Sequence, residues 1–209
     1  MIELELKFAV ERAPAALAAL QLLKEKSQVD VYYDTPDYAL LKRGGFLRIR
    51  NGARMDFKGD FSFGSVQHDY CNETNFDIFS IVDKSEAINK LLNLYKIPAL
   101  GSYENFDDMI AKNNLQILAT IDKSRREYKL GDMKIALDDT KNIGLFIEAE
   151  TEAPDDTSHE ELMKRKARMH ADLIEHKIIS PAAPPVKIGY VELYLARHNP
   201  AAYELGLYK

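Results

Sequence analysis

Ile2-Glu3-Leu4-Glu5-Leu6-Lys7-Phe8 alternates apolar and charged residues without a break. Successive side chains on a β-strand point to opposite faces. Glu3, Glu5 and Lys7 therefore share one face of a strand, and Ile2, Leu4, Leu6 and Phe8 share the other. Two carboxylates on one strand face repel each other unless something cationic sits between them. A divalent metal meets that need, because hard cations take carboxylate oxygens. An amphipathic strand with a wet polar face would carry the same pattern, so the remainder of the chain has to decide.

The pattern returns downstream. Phe46-Leu47-Arg48-Ile49-Arg50 puts two arginines on one face, and Leu145-Phe146-Ile147-Glu148-Ala149-Glu150 repeats the paired carboxylates. Asn51-Gly52 is a strong hairpin signal, with Met55-Asp56-Phe57-Lys58-Gly59 as the returning strand. Val29 to Asp34 reads as a strand on which Asp30, Tyr32 and Asp34 share one parity. Leu115 to Tyr128 and Met133 to Asp139 read as two strands around a Gly131-Asp132 turn. Helices are expected over 13–26, 85–95, 106–112, from Ser158 to about His176, and over 191–197. Ser158 with Glu161 three residues later has the form of a capping box. His159, His170 and His176 make no i, i+4 pair and read as surface groups rather than metal ligands. Phe61 to Asn75 is the least readable stretch, with a strand possible over 69–73. Pro181 to Pro185 reads as a rigid linker.

Composition excludes several classes. At 209 residues the chain suits one domain, 1–209. With 46% hydrophobic and 29% charged residues it has the balance of an ordinary globular protein. A net charge of −5 gives no basic excess for nucleic acid. No apolar run approaches the roughly 20 residues of a membrane span. The single cysteine, Cys71, fits a reducing compartment and reads as a passive thiol. Met1 runs directly into a strand with no signal peptide, so a cytoplasmic location is expected. Oligomeric state stays open.

Predicted helices can cover only the outside of a sheet. The charged strand faces would then point inward, into a closed antiparallel barrel wide enough for water and ligand. Buried charge of this density is costly unless metal and anion neutralise it. A polyphosphate with bound metal would do both.

At these residues the sequence resembles the CYTH family, also called the triphosphate tunnel metalloenzymes. Glu3-Leu4-Glu5-Leu6-Lys7 fits its E-x-E-x-K signature. The likeness continues through Tyr32-Tyr33-Asp34-Thr35-Pro36, Phe46 to Arg50, Phe57-Lys58-Gly59, Lys123-Ser124-Arg125, Leu137-Asp138-Asp139, Glu148-Ala149-Glu150, Lys187 and Tyr190 to Leu193. The resemblance implies an α+β fold: a closed eight-stranded antiparallel β-barrel, the triphosphate tunnel, with helices packed outside. It implies Mg²⁺ or Mn²⁺ as cofactor and a small-molecule triphosphate as substrate. Glu3, Glu5, Asp138, Glu148 and Glu150 would be metal-side acids. Lys7, Arg48, Arg50, Lys58, Arg125 and Lys187 would hold the phosphates. Lys7 and Tyr32 match a lysine–tyrosine pair associated with catalysis in the thiamine-triphosphatase-like branch. Where many members carry Arg-x-Glu-x-Glu after the lysine-glycine step, this chain has His68-Asp69-Tyr70-Cys71-Asn72-Glu73. Glu73 is the substitute for the missing acid, with His68 a weaker one.

The expected reaction is metal-dependent hydrolysis of inorganic tripolyphosphate, thiamine triphosphate or a nucleotide. A class IV adenylyl cyclase, making cyclic AMP from ATP, shares the same signature. A non-catalytic polyphosphate- or nucleotide-binding module is a third reading, opposed by the acid pairs, from which a polyanion binder gains nothing without a metal.

Overall fold

The computed structural model describes residues 2–59, 72–94 and 103–206. In chain order the strands and helices are β1 (Ile2–Val10), β2 (Gln21–Asp34), β3 (Gly45–Arg50), β4 (Arg54–Gly59), β5 (Asn72–Asp77), α1 (Ser85–Leu94), α2 (Phe106–Lys112), β6 (Gln116–Leu130), β7 (Met133–Thr140), β8 (Gly144–Ala153), α3 (His159–Glu175), α4 (Tyr190–His198) and α5 (Pro200–Tyr203). Eight strands form one sheet in the order β1-β8-β7-β6-β2-β3-β4-β5. The ladders β1–β8, β2–β3, β3–β4, β4–β5, β6–β7 and β7–β8 are antiparallel.

The sheet is open, which corrects the expected closed barrel and its tunnel. β1 and β5 stand at the two ends of the strand order, and among the described residues no ladder joins them. The expectation rested on charged faces needing enclosure with a metal and an anion. Instead the charges neutralise one another across the ladders, as in Arg125 with Asp138 and Arg48 with Asp56. The α+β class holds, with helices accompanying an antiparallel sheet.

The chain forms two compact units, Met1–Gln28 with Asp122–Lys187, and Val29–Ile121 with Ile188–Lys209. In the first, Leu4, Phe8, Ile135, Leu137, Ile147 and Ala149 are buried on the apolar parity of β1, β7 and β8. Helix α3 lies against β1, and its Leu162, Met169 and Leu173 are buried. Ser158 caps α3, its Oγ accepting the Glu161 N–H at 3.3 Å. His170 departs from its surface reading: it is half-buried and stacks on Phe8, with ring centroids 5.5 Å apart and planes 9° from parallel.

In the second unit, Leu47 and Ile49 of β3 and Met55 and Phe57 of β4 join Ile88 and Leu92 of α1 and Met109 of α2 in one core. The hairpin between β3 and β4 turns at Asn51 and Gly52, both left-handed at φ 51° and 64°. Asn51 also accepts the Val29 N–H through its side chain at 2.8 Å. Asp34, buried at the end of β2, accepts the N–H groups of Thr35, Leu40 and Leu41 at 2.7–2.9 Å. That carboxylate ties down the loop leading to β3. Burial raises its pKa against the pull of these donors.

The helix expected over 13–26 is a second correction. Only Ala15–Ala19 is helical, as a short 3-10 turn, and Gln21 onward belongs to β2. A helix there needs a buried stripe, yet Leu22 and Leu23 are 50% and 48% exposed. The even-numbered alternation that buries Gln28, Asp30, Tyr32 and Asp34 reaches back to the half-buried Lys26, and the strand before it, 21–25, is exposed on both parities.

Candidate functional site

Parity decides what each ladder presents. In the first unit, register sets Lys7 opposite Glu148, Glu5 opposite Glu150 and Glu3 opposite Glu152. Glu150 is in turn opposite Lys134, and Asp138 is opposite Arg125. All these residues belong to the parity that faces away from the apolar core, so the ladders gather acids and bases into one patch.

Two kinds of acid can be told apart there. Carboxylate oxygens of Glu3, Glu5 and Glu150 all lie within 4.8 Å of one another, with Glu3 exposed and the other two half-buried. These three could hold a hard divalent cation, which takes carboxylate oxygens. Asp138 and Glu148, expected beside them, differ in being buried among cations. Asp138 is 0% exposed and accepts from Lys123 Nζ at 3.0 Å and from Arg125 Nε at 2.7 Å and Nη2 at 2.5 Å. Glu148 accepts from Arg125 Nη2 and lies 3.3 Å from Lys7 Nζ.

Lys7 Nζ also sits 3.2 Å from Glu5 Oε1. Burial disfavours its charged form, but Glu5 and Glu148 outweigh that and hold it above the ordinary lysine value. Glu148 is likewise burial-disfavoured as a carboxylate, yet Lys7, Lys123 and Arg125 drive its pKa well below the usual range. Burial lowers the Lys123 pKa, against the pull of Glu148 and Asp138. Lys7 is thus an ammonium at neutral pH, a source of positive charge rather than a proton acceptor.

Lys187 is exposed, and the N–H of its neighbour Val186 donates to the Lys7 carbonyl at 2.7 Å, which brings this segment alongside β1.

The second unit holds a separate cluster. Arg48, 5% exposed, donates from Nε and Nη2 to Asp56 at 3.0 and 2.6 Å, and its Nη1 is 3.6 Å from Asp30. Arg50 grips Asp30 as a fork at 2.9 and 3.1 Å. Arg54 Nε lies 2.6 Å from Asp56, which is 0% exposed. Tyr32 is opposite Arg48 in register and carries the Arg48 guanidinium 6.0 Å above its ring. Burial raises the Tyr32 pKa, so its hydroxyl keeps its proton. Lys58 is half-buried, and its register partners on the two flanking strands are Phe46 and Glu73. The expected Glu73 therefore has a place on β5, whereas His68 and Cys71 lie outside the described residues.

Reading the sequence missed Lys123, Lys134, Asp30 and Asp56 as members of these clusters. The signal was present. Lys123 is two residues from Arg125, Asp56 two from Lys58, and Lys134 shares the parity of Asp138.

The family model for the CYTH domain matches residues 1–177. Comparison with curated proteins returns no match. Among solved structures, a protein from Pyrococcus horikoshii OT3 superposes with a TM-score of 0.61 at 20% identity, covering 93% of this chain and 98% of that one. A protein from Vibrio parahaemolyticus, provisionally named an adenylate cyclase, gives 0.59 at 20% identity over 92% and 97%. An adenylyl cyclase candidate from Hippeastrum, described as having a dominant triphosphatase activity, gives 0.53 at 18% identity over 97% and 94%. At these identities the likeness is one of fold.

Proposed function

The chain belongs to the CYTH family, and from that membership we propose that it is a metal-dependent triphosphatase. The carrying observation is the meeting of Glu3, Glu5 and Glu150 within 4.8 Å, next to the Lys7 ammonium and the Arg125 guanidinium, both of which are also braced by Glu148. A carboxylate set alone would suit a metal and repel an anion. A cation set alone would suit an anion and repel a metal. Both together suit a metal–polyphosphate.

The reaction is attack of water on the terminal phosphorus, with cleavage of its bond to the bridging oxygen and departure of the shortened phosphate chain. A divalent ion, Mg²⁺ or Mn²⁺, held by Glu3, Glu5 and Glu150 would neutralise phosphate charge. Lys7, Lys123 and Arg125 add positive charge to the same patch. Glu148 and Asp138 hold these cations in place, so no reorganisation is needed when the substrate arrives. Arg48, Arg50 and Lys58 are the phosphate-binding cations of the second unit, with Asp30 and Asp56 orienting the two guanidinium forks. Neither Lys7 nor Tyr32 serves as base in this scheme, because both keep their protons. Tyr32 then acts as a hydroxyl donor beside Arg48.

The test is phosphate release from inorganic tripolyphosphate, thiamine triphosphate and ATP with Mg²⁺ or Mn²⁺, with ATP also assayed for cyclic AMP. Metal-dependent phosphate release is expected, and it should fall by at least about 100-fold in Glu3→Gln and in Arg125→Ala. Cyclic AMP without phosphate would make the chain a cyclase, and tight tripolyphosphate binding without either product would make it a binding module.

A further inference from the structure

Two of the three carboxylates that would hold the metal already carry an ammonium. Glu5 is paired with Lys7, and Glu150 with Lys134. The two lysines differ in one decisive respect. The side chain of Lys7 is 8% exposed and also pairs with Glu148, so it is fixed from two sides. The Lys134 side chain is 43% exposed, beside a Glu150 side chain that is 13% exposed. An ammonium with that much access to water can leave its carboxylate at little cost, because water replaces the lost contact.

Register fixes the competition. Lys134 and Glu150 are directly opposite on the β7–β8 ladder, and Glu150 is directly opposite Glu5 on the β8–β1 ladder. The ammonium thus approaches Glu150 from the β7 side, while Glu5 lies on its other flank. We infer that Lys134 is a built-in competitor for the divalent cation, occupying Glu150 until the metal arrives and thereby lowering the affinity of the site for it. The inference rests on the metal-dependent reading above. Lys134 contributes here by its charge and position, with no role in the chemical step. Arg125 Nη1, 3.6 Å from Glu150, is 10% exposed and held by Asp138 and Glu148, so it stays put when the metal comes and goes.

The test is Mn²⁺ binding by isothermal titration calorimetry without any phosphate present, on the wild type, Lys134→Met and Lys134→Arg. Lys134→Met should bind Mn²⁺ about three- to ten-fold more tightly, since it loses both the competing pair and the repulsion between like charges. Lys134→Arg keeps the charge and should stay within about two-fold of wild type. Lys164→Gln, which removes an exposed lysine paired with Glu160 on α3, should leave the affinity unchanged. Affinity that is unchanged or weaker in Lys134→Met would overturn the proposal while leaving the metal site standing. Equal tightening in Lys164→Gln would reduce it to a net-charge effect and also overturn it. Absence of Mn²⁺ binding in the wild type would remove the metal-dependent reading itself.

Discussion

Asp138 joins Lys123 and Arg125 with no exposure of its own. Removing one partner of a buried ion group leaves uncompensated charge, which costs about 3–5 kcal/mol. Asp138→Ala should therefore lose about that much stability in urea denaturation, more than Glu3→Gln, whose exposed carboxylate gives up little. Glu127 illustrates a weaker case. Burial disfavours its carboxylate, but Lys26 at 2.5 Å outweighs this and lowers its pKa. A depressed folded-state pKa means the stabilisation is present above the unfolded carboxylate value and is lost as pH falls through the folded one. With the Lys26 side chain 31% exposed, the effect is at most about 1 kcal/mol. Acid titration of stability should therefore be slightly shallower in Lys26→Gln than in the wild type.

Strands were legible where alternation was strict and both parities had a distinct chemistry. β1, β3, β7 and β8 are found where the sequence puts them, because their apolar residues go to a core and their charges go to a ladder. β2 failed at its start. Ala15 to Leu23 is rich in good helix formers, and only the later pairing of Lys26 with Glu127 reveals a strand. Propensity lost there to tertiary pairing. The acids and bases of the site were legible as types, since parity pairs Glu3 with Glu5 and Glu148 with Glu150, and the β1–β8 register then brings the two pairs to one side. Their division into three clustered carboxylates and two buried, braced ones was not, because it depends on which cation reaches which oxygen across neighbouring strands. At the helices, Ser158 supplies the cap of α3, and Ser158→Ala should cost about 1 kcal/mol in thermal or urea unfolding. Gly189 precedes α4 and donates to the Glu192 carboxylate. A Cβ there would come within 2.9 Å of a Glu192 oxygen, so Gly189→Ala should displace that side chain and destabilise the start of α4.

Across the whole chain, an ion bound at the proposed site would link that site to unfolding. A ligand that binds only the folded state adds about 2.7 kcal/mol at one hundred times its Kd. Mn²⁺ should raise the melting temperature in calorimetry, EDTA should reverse the rise, and Glu5→Gln should abolish most of it. Among the described residues no helix is long and apolar enough to cross a membrane. The open sheet brings a different exposure. A strand at the end of a sheet carries backbone groups that can pair with another chain. On β1, the Lys7 carbonyl is taken by the Val186 N–H, which closes that one acceptor to a strand from a second molecule. Replacing Val186 with proline removes that N–H, and the protein should then self-associate at concentrations where the wild type scatters no more light than a monomer.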